Sequence, residues 1–317
     1  MVLPCSPPRS ARSSARPPRR IGFGPSPEAR SVSVASRGRH LRAAGRVADV
    51  LNRPVPVRGT KNEESIAGKR ILITGASAGI GRATAVAAAA AGAEMVLVAR
   101  RESELATVRD EIRATGGEAS FRACDLTDDN DLDALVSWVG AEFGGVDVLV
   151  NNAGRSIRRP ITESFDRMHD FRRTMGINYF GPVQLTLGLL PAMLESGGGH
   201  IVNVGTWTVP AGTSPRFSAY HSSKMALSGF GQCLDAELSG RGVAVTTIHY
   251  PLVHTAMSSP TPEYRRLPGL TPEEAAEWIL TAIRHRPVQV IPRYVPLLRA
   301  LRLGGPRVVG RLLVRWG

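Results

Sequence analysis

A glycine-rich junction between a strand and a helix constrains this chain more than any other feature. Lys69-Arg70-Ile71-Leu72-Ile73 is a short apolar run that reads as a buried strand. Arg82 to Ala91 is rich in alanine and reads as a helix. Between them stands Thr74-Gly75-Ala76-Ser77-Ala78-Gly79-Ile80-Gly81. Gly75 allows a sharp turn, while Gly79 and Gly81 allow backbone to approach a pyrophosphate and the helix to pack close to the strand. The helix then presents free N–H groups and the positive end of its dipole to an anion. A bare glycine pattern is weak evidence; its position between strand and helix gives it a mechanism.

The stretches that follow alternate. Strands are expected at Glu94–Val98, Glu118–Arg122, Asp147–Val150, His200–Val204 and Val243–His249, with a last one at Val288–Ile291. Helices are expected at Ser103–Thr115, Asp129–Phe143, within Phe165–Glu195, and at Ala219–Ser239. A final helix opens at Thr271-Pro272-Glu273-Glu274, with Thr271 as its cap and Pro272 in its first turn. Strands spaced by helices imply a parallel sheet covered on both faces. The expected fold is therefore α/β, a doubly wound parallel sheet of Rossmann type, in a single domain over 61–290. Ligands belong at the carboxyl ends of its strands.

Charge separates this domain from its flanks. The chain of 317 residues carries a net +13, which by itself suggests nucleic acid. Residues 1–60 contribute +10, from twelve arginines against Glu28 and Asp49, and residues 291–317 contribute +6 from six arginines. The body between is left at −3, so nucleic acid is not its expected partner. Residues 1–60 are Arg-, Pro- and Ser-rich, with little to build a core, and read as a disordered tail. A transit peptide and a start site placed too far upstream are the alternatives. Residues 291–317 mix Leu and Val with Arg, and read either as a peripheral contact with an anionic membrane or as a helix packed on the domain or an oligomer interface. Cys5, Cys124 and Cys233 match neither a disulfide framework nor a metal spacing. No metal site is expected, and a reducing, cytoplasmic setting is. No apolar run has the length of a membrane span.

Several side chains carry chemistry. The second strand ends in Ala99-Arg100-Arg101, without the acid that would meet a ribose 2′-hydroxyl. Arg100, with Ser77, suits a 2′-phosphate instead, so NADP(H) is preferred over NAD(H); Arg101 is as well read as solvated surface. Asp125 follows the third strand and either accepts from an adenine amino group or pins its own loop. Tyr220 and Lys224 stand four apart and share one helix face. A nearby ammonium would lower the phenol pKa from ~10 and bring general acid–base work within reach.

Together these motifs resemble the short-chain dehydrogenase/reductase family. Thr74 to Gly81 is similar to its TGxxxGxG, Asn151-Asn152-Ala153-Gly154 to its NNAG, Asn178 to its active-site asparagine, and Tyr220 with Lys224 to its YxxxK. The resemblance implies that Tyr220 exchanges the substrate proton. Lys224 would bind the nicotinamide ribose and lower the tyrosine pKa, and Asn178 would hold a relay water. It also implies that Gly75, Ser77, Gly79, Ile80, Gly81, Asp125, Leu126, Asn152, Ala153, Gly154, Val253 and Thr255 surround the cofactor. A homodimer or homotetramer is implied as well.

Two departures stand out. The position of the family's serine, which polarises the substrate carbonyl, is Thr206, after Gly205, with Thr208 as fallback. The stretch from Thr206 to Tyr220 is also one residue longer than the family spacing. Leu252 replaces the usual glycine. The runs Arg155-Ser156-Ile157-Arg158-Arg159, Glu163 to Phe171, Asn178-Tyr179-Phe180-Gly181, Arg216 to Tyr220 and Pro251-Leu252-Val253 resemble the bacterial fatty acyl-CoA reductases of the short-chain type, a subgroup that Leu252 fits. Ala256, His221 and His254 differ from that subgroup's pattern. The resemblance implies NADPH-dependent reduction of long-chain acyl-CoA to fatty aldehyde, with arginines of 155–159 and 172–173 as candidates for the CoA phosphates. Reduction or oxidation of another hydrophobic carbonyl or alcohol is the alternative enzyme reading. A catalytically weak cofactor-binding module is the alternative of another class.

Overall fold

The computed structural model describes residues 48–56, 63–238 and 240–305, with isolated positions beyond. Seven parallel strands form one sheet in the order β3-β2-β1-β4-β5-β6-β7: β1 Arg70–Thr74, β2 Glu94–Ala99, β3 Glu118–Ala123, β4 Val148–Asn151, β5 Gly199–Thr206, β6 Val243–Tyr250 and β7 Gln289–Val290. The helices are α1 Gly79–Ala90, α2 Glu102–Ala114, α3 Asp129–Phe143, α4 Met168–Met175, α5 Gly181–Glu195, α6 Thr208–Ala211, α7 Ser218–Leu238, α8 Pro272–His285 and α9 Val295–Gly304.

The strands are apolar on both faces because helices cover both. Ile71 and Ile73 point to one side, where Ala85, Ala88, Val108, Ile112, Trp278 and Ile279 complete a core with α1, α2 and α8. Leu72 points to the other, against Leu132, Leu135, Leu185, Leu189 and Leu234 of α3, α5 and α7. Gly92, at φ +88, closes the tight return from α1 to β2. The expected capping box at Thr271 is formed, with Glu274 bonding back to the Thr271 amide at 2.8 Å.

Three local features differ from the sequence expectation. The long helix within 165–195 is interrupted by a π-helical turn over Gly176–Phe180, which sets Asn178 inward at 0 % exposure. β5 runs past Val204 to Thr206, because Gly205 and Thr206 pair with His249 and Tyr250 of β6. The lengthened segment after β5 folds as the helical turn α6, ended by Gly212 at φ +88.

Most of the expected N-terminal tail lies outside the described residues. Its described part, 48–56, makes a helical turn and then joins the domain: Pro54 bridges Pro292 in antiparallel fashion, and the Val55 amide donates to the Ile291 carbonyl at 2.8 Å. The C-terminal stretch begins as α9, anchored by the fully buried Val295 and by the edge-to-face contact of Trp207 with Tyr294.

Candidate active site

The order of strands reverses between β1 and β4, and the loops after both open on the same edge of the sheet. Thr74, the last residue of β1, ties them together. Its hydroxyl donates to the Val150 carbonyl at 3.3 Å and accepts the amides of Asn152 and Ala153, each at 3.0 Å. The Asn152 side chain returns a bond to the Thr74 carbonyl at 2.8 Å. Thr74 stands inside the glycine motif, but its part in holding the Asn151–Gly154 loop is visible only when the two loops meet.

The glycines leave the room that an anion's approach requires. A β-carbon on Gly81 would lie 2.3 Å from the Gly75 carbonyl oxygen, and one on Gly75, which sits at φ +68, would press on Asn152 and Ala153 at 3.0 Å. Helix α1 begins after Ala78 with no side-chain cap and no acid in its first turn, so its amides are left for a ligand. Thr255 closes over the loop from the far side, its methyl 3.3 Å from where a Gly79 β-carbon would stand. A cleft of about 460 Å³ continues from there, lined by Gly79, His254, Thr255, Ala256, Tyr264 and Arg265 among others. Val253 is held beside it by a bridge to Leu270. This cradle fits a dinucleotide diphosphate.

Other residues expected at the cofactor divide. Arg100 is exposed just beyond β2, and Ser77 and Ile80 are half-buried in and after the glycine loop. Arg101 is drawn to Glu104 at 2.5 Å. One oxygen of Asp125 accepts both the amide and the hydroxyl of Thr127, at 3.0 and 2.8 Å, so the carboxylate does pin its own turn. Leu126 turns its side chain into the core at 3 % exposure.

Tyr220 and Lys224 lie on the first turns of α7, one turn apart. Lys224 is 3 % exposed, and its ammonium donates to the Val204 carbonyl at 2.7 Å. Burial lowers its pKa to about 8. The expectation that this ammonium lowers the tyrosine pKa is not met: burial pushes Tyr220 up to about 12, Tyr264 adds to the rise, and the opposing influence is a hydrogen bond from Thr206. Asn178 is also tightly held. Its side chain accepts the Arg155 amide at 2.8 Å and donates to the Arg155 carbonyl and the Ser223 hydroxyl, each at 2.9 Å. A β-carbon on Gly154 would stand 3.0 Å from the Asn178 oxygen and 3.4 Å from the Lys224 nitrogen, so this glycine lets the two pack together.

Thr206, 8 % exposed, ends the extended β5, and its side chain is one of the groups that act on the Tyr220 pKa. Thr208 instead meets His221, at 3.1 Å from Nδ1. Two histidines thus flank Thr206, one reached through Thr208. The other, His249 on β6, is 3.2 Å from the Thr206 carbonyl through Nδ1, which must carry the proton to donate there. Burial holds His249 neutral, with a pKa lowered to about 4. Gly205 has no side chain because a β-carbon there would meet His249 Nδ1 at 3.0 Å. His249 is a site residue that sequence reading missed; its register opposite Gly205 is a property of the paired strands.

Of the arginines considered for CoA phosphates, Arg159 is engaged with the 6 %-exposed Asp170 at 3.2 Å, whereas Arg155, Arg172 and Arg173 are exposed. Among the described residues no helix is long and apolar enough to cross a membrane.

The family description "short chain dehydrogenase" matches residues 69–265. A fatty acyl-CoA reductase of Mycobacterium tuberculosis is 48 % identical over 268 residues, covering 84 % of this chain and 89 % of its own. A fatty acyl-CoA reductase of Acinetobacter baylyi is 50 % identical over 227 residues, covering 72 % and 77 %. The crystal structure of L-sorbose reductase from Gluconobacter frateurii, complexed with NADPH and L-sorbose, superimposes with a TM-score of 0.64 at 28 % identity, over 71 % of this chain and 92 % of that one. With its glycine cradle, NNAG loop and Tyr–Lys helix in the places described, this chain belongs to the short-chain dehydrogenase/reductase family of NAD(P)-dependent oxidoreductases.

Proposed function

We propose that this enzyme reduces long-chain fatty acyl-CoA to fatty aldehyde with NADPH. The observation that carries the reading is the match, at 48–50 % identity over most of the chain, to two proteins named for that activity. The preference for NADPH rests on Arg100, exposed at the end of β2 where no acid stands.

A nicotinamide dinucleotide held by the glycine cradle at the start of α1 would supply the hydride that reduces the thioester carbonyl carbon. Thr206 and Tyr220 would each donate to the carbonyl oxygen, where two donors stabilise the developing charge. A high tyrosine pKa makes Tyr220 a donor held in its protonated form. Tyr220 gives its proton to the tetrahedral alkoxide. Collapse of the resulting thiohemiacetal returns its hydroxyl proton to the phenolate and expels CoA as thiolate, which takes a proton from solvent to become the free thiol. Lys224 keeps a positive charge behind the site below about pH 8. Asn178 holds the Arg155 backbone and Ser223, and so shapes the wall next to Lys224.

Arg155, Arg172 and Arg173, exposed beside this wall, are proposed to receive the CoA phosphates. Exposed Phe180, Leu187 and Met225 suit burial between two copies of the chain, in a homodimer or homotetramer. On α9 the side chains of Leu297, Leu301 and Leu303 remain exposed, and these are proposed as a peripheral membrane contact. The full chain is then expected to sediment with anionic liposomes; equal sedimentation of a chain ending at Pro292 refutes that role.

The test of the function is NADPH consumption by the purified chain with long-chain acyl-CoA, the matching aldehyde or a ketosteroid. Oxidation coupled to free thiol release, and absent in Tyr220→Phe, is the expected result. Turnover of the ketone without any thiol release would reassign the enzyme to another hydrophobic carbonyl. Tyr220→Phe that still performs the physiological role would favour a cofactor-binding module.

A further inference from the structure

The hydroxyl of Thr206 has a buried partner of its own. It lies 3.4 Å from the hydroxyl of Thr208, the first residue of α6, and Thr208 lies 3.1 Å from His221 Nδ1. All three side chains are buried, at 8, 9 and 9 % exposure. Thr206, Thr208 and His221 therefore form one line of hydrogen bonds, which reaches the catalytic helix at the residue after Tyr220.

Each threonine has one proton, so the direction of donation along this line is set at its far end. If His221 Nδ1 accepts, the Thr208 proton goes to the ring. Thr208 can then only accept from Thr206, and the Thr206 proton is turned away from the substrate. If His221 Nδ1 donates, Thr208 donates to Thr206, and the Thr206 proton is free to point into the site. Only the second arrangement supplies a second donor to a carbonyl oxygen. We propose that His221 is a positioning residue: by donating from Nδ1 to Thr208, it aims the Thr206 hydroxyl at the substrate carbonyl.

Burial, with a smaller contribution from Arg302 of α9, lowers the His221 pKa and favours the neutral ring, in which one nitrogen donates and the other accepts. The lengthened segment that becomes α6 then has a use, since it is what brings Thr208 between Thr206 and His221.

The proposal rests on Thr206 acting as the carbonyl donor, and it is tested with whichever carbonyl substrate the wild-type enzyme reduces. Failure on acyl-CoA alone would therefore count against the substrate and not against the relay. Thr208→Val and His221→Phe are each expected to lower kcat by about tenfold to ~10², below the loss from removing an oxyanion donor outright, with KM and the NADPH Kd within about twofold. The double variant should be no slower than the slower single variant. His221→Asn, whose amide nitrogen takes the place of Nδ1, should recover most of the rate. Full kcat in Thr208→Val, which keeps the shape of the side chain, would overturn the proposal, as would multiplied losses in the double variant or an Asn variant as slow as Phe. Nitrogen NMR of labelled histidine gives an answer independent of turnover: the proton on Nδ1 of His221 is expected, and a proton on Nε2 alone would overturn the proposal.

Discussion

Lys224→Met should stabilise the fold at neutral pH relative to its stability at high pH, while abolishing turnover. Lys224 is 3 % exposed, and burial depresses its pKa from 10.5 to about 8. Between those values the unfolded chain holds a proton that the folded chain has released. Stability therefore rises with pH through this window, and the cost of the buried charge is fully present below about pH 8. That depression corresponds to about 3 kcal/mol at neutral pH, fading to below about 1 kcal/mol above pH 10. Methionine removes that titration. It also leaves the Val204 carbonyl without its 2.7 Å partner, a loss of about 1–3 kcal/mol that does not change with pH. The size of the stability difference at one pH is thus uninformative, and its change with pH is the signal. Urea unfolding of both proteins at about pH 7, 9 and 10 measures it. The wild type should gain about 2.5 kcal/mol on the variant across that range. A difference that stays constant would refute the reasoning, by showing that Lys224 titrates alike in the folded and unfolded chains.

Other outcomes follow from the same geometry. Thr206→Val should lower kcat by about 10²–10³ while Thr206→Ser stays near wild type, because the hydroxyl and not the methyl can donate to the carbonyl oxygen; steady-state kinetics separates the two. Arg100→Ala should reduce the preference for NADPH over NADH by about tenfold or more, the worth of a charge-assisted hydrogen bond, read from the ratio of kcat/KM values. Gly81→Ala places a β-carbon 2.3 Å from the Gly75 carbonyl and should cost about 1–3 kcal/mol together with dinucleotide binding, checked by thermal unfolding and cofactor titration.

Much of the fold was legible in local pattern. β1, α3 and the Thr271 cap need only a few neighbouring residues to specify them, and apolar runs spaced by amphipathic helices leave little choice but a covered parallel sheet. Gly75, Gly79 and Gly81 announced a phosphate cradle because their lack of a β-carbon is the whole of their contribution. Tyr220 and Lys224 were legible as a pair because helix geometry alone puts them one turn apart. What the tertiary structure decided is how these groups act on one another. The Tyr220 pKa depends on burial and on Thr206, which comes from β5, and the Lys224 ammonium went to a β5 carbonyl that no helical pattern reveals. The choice of Thr206 over Thr208 beside Tyr220 followed from two additional pairs in the β5–β6 register. His249 and the Thr208–His221 link exist only where strands, α6 and α7 meet, since hydrogen bonds and desolvation depend on distances between segments that the chain order leaves free.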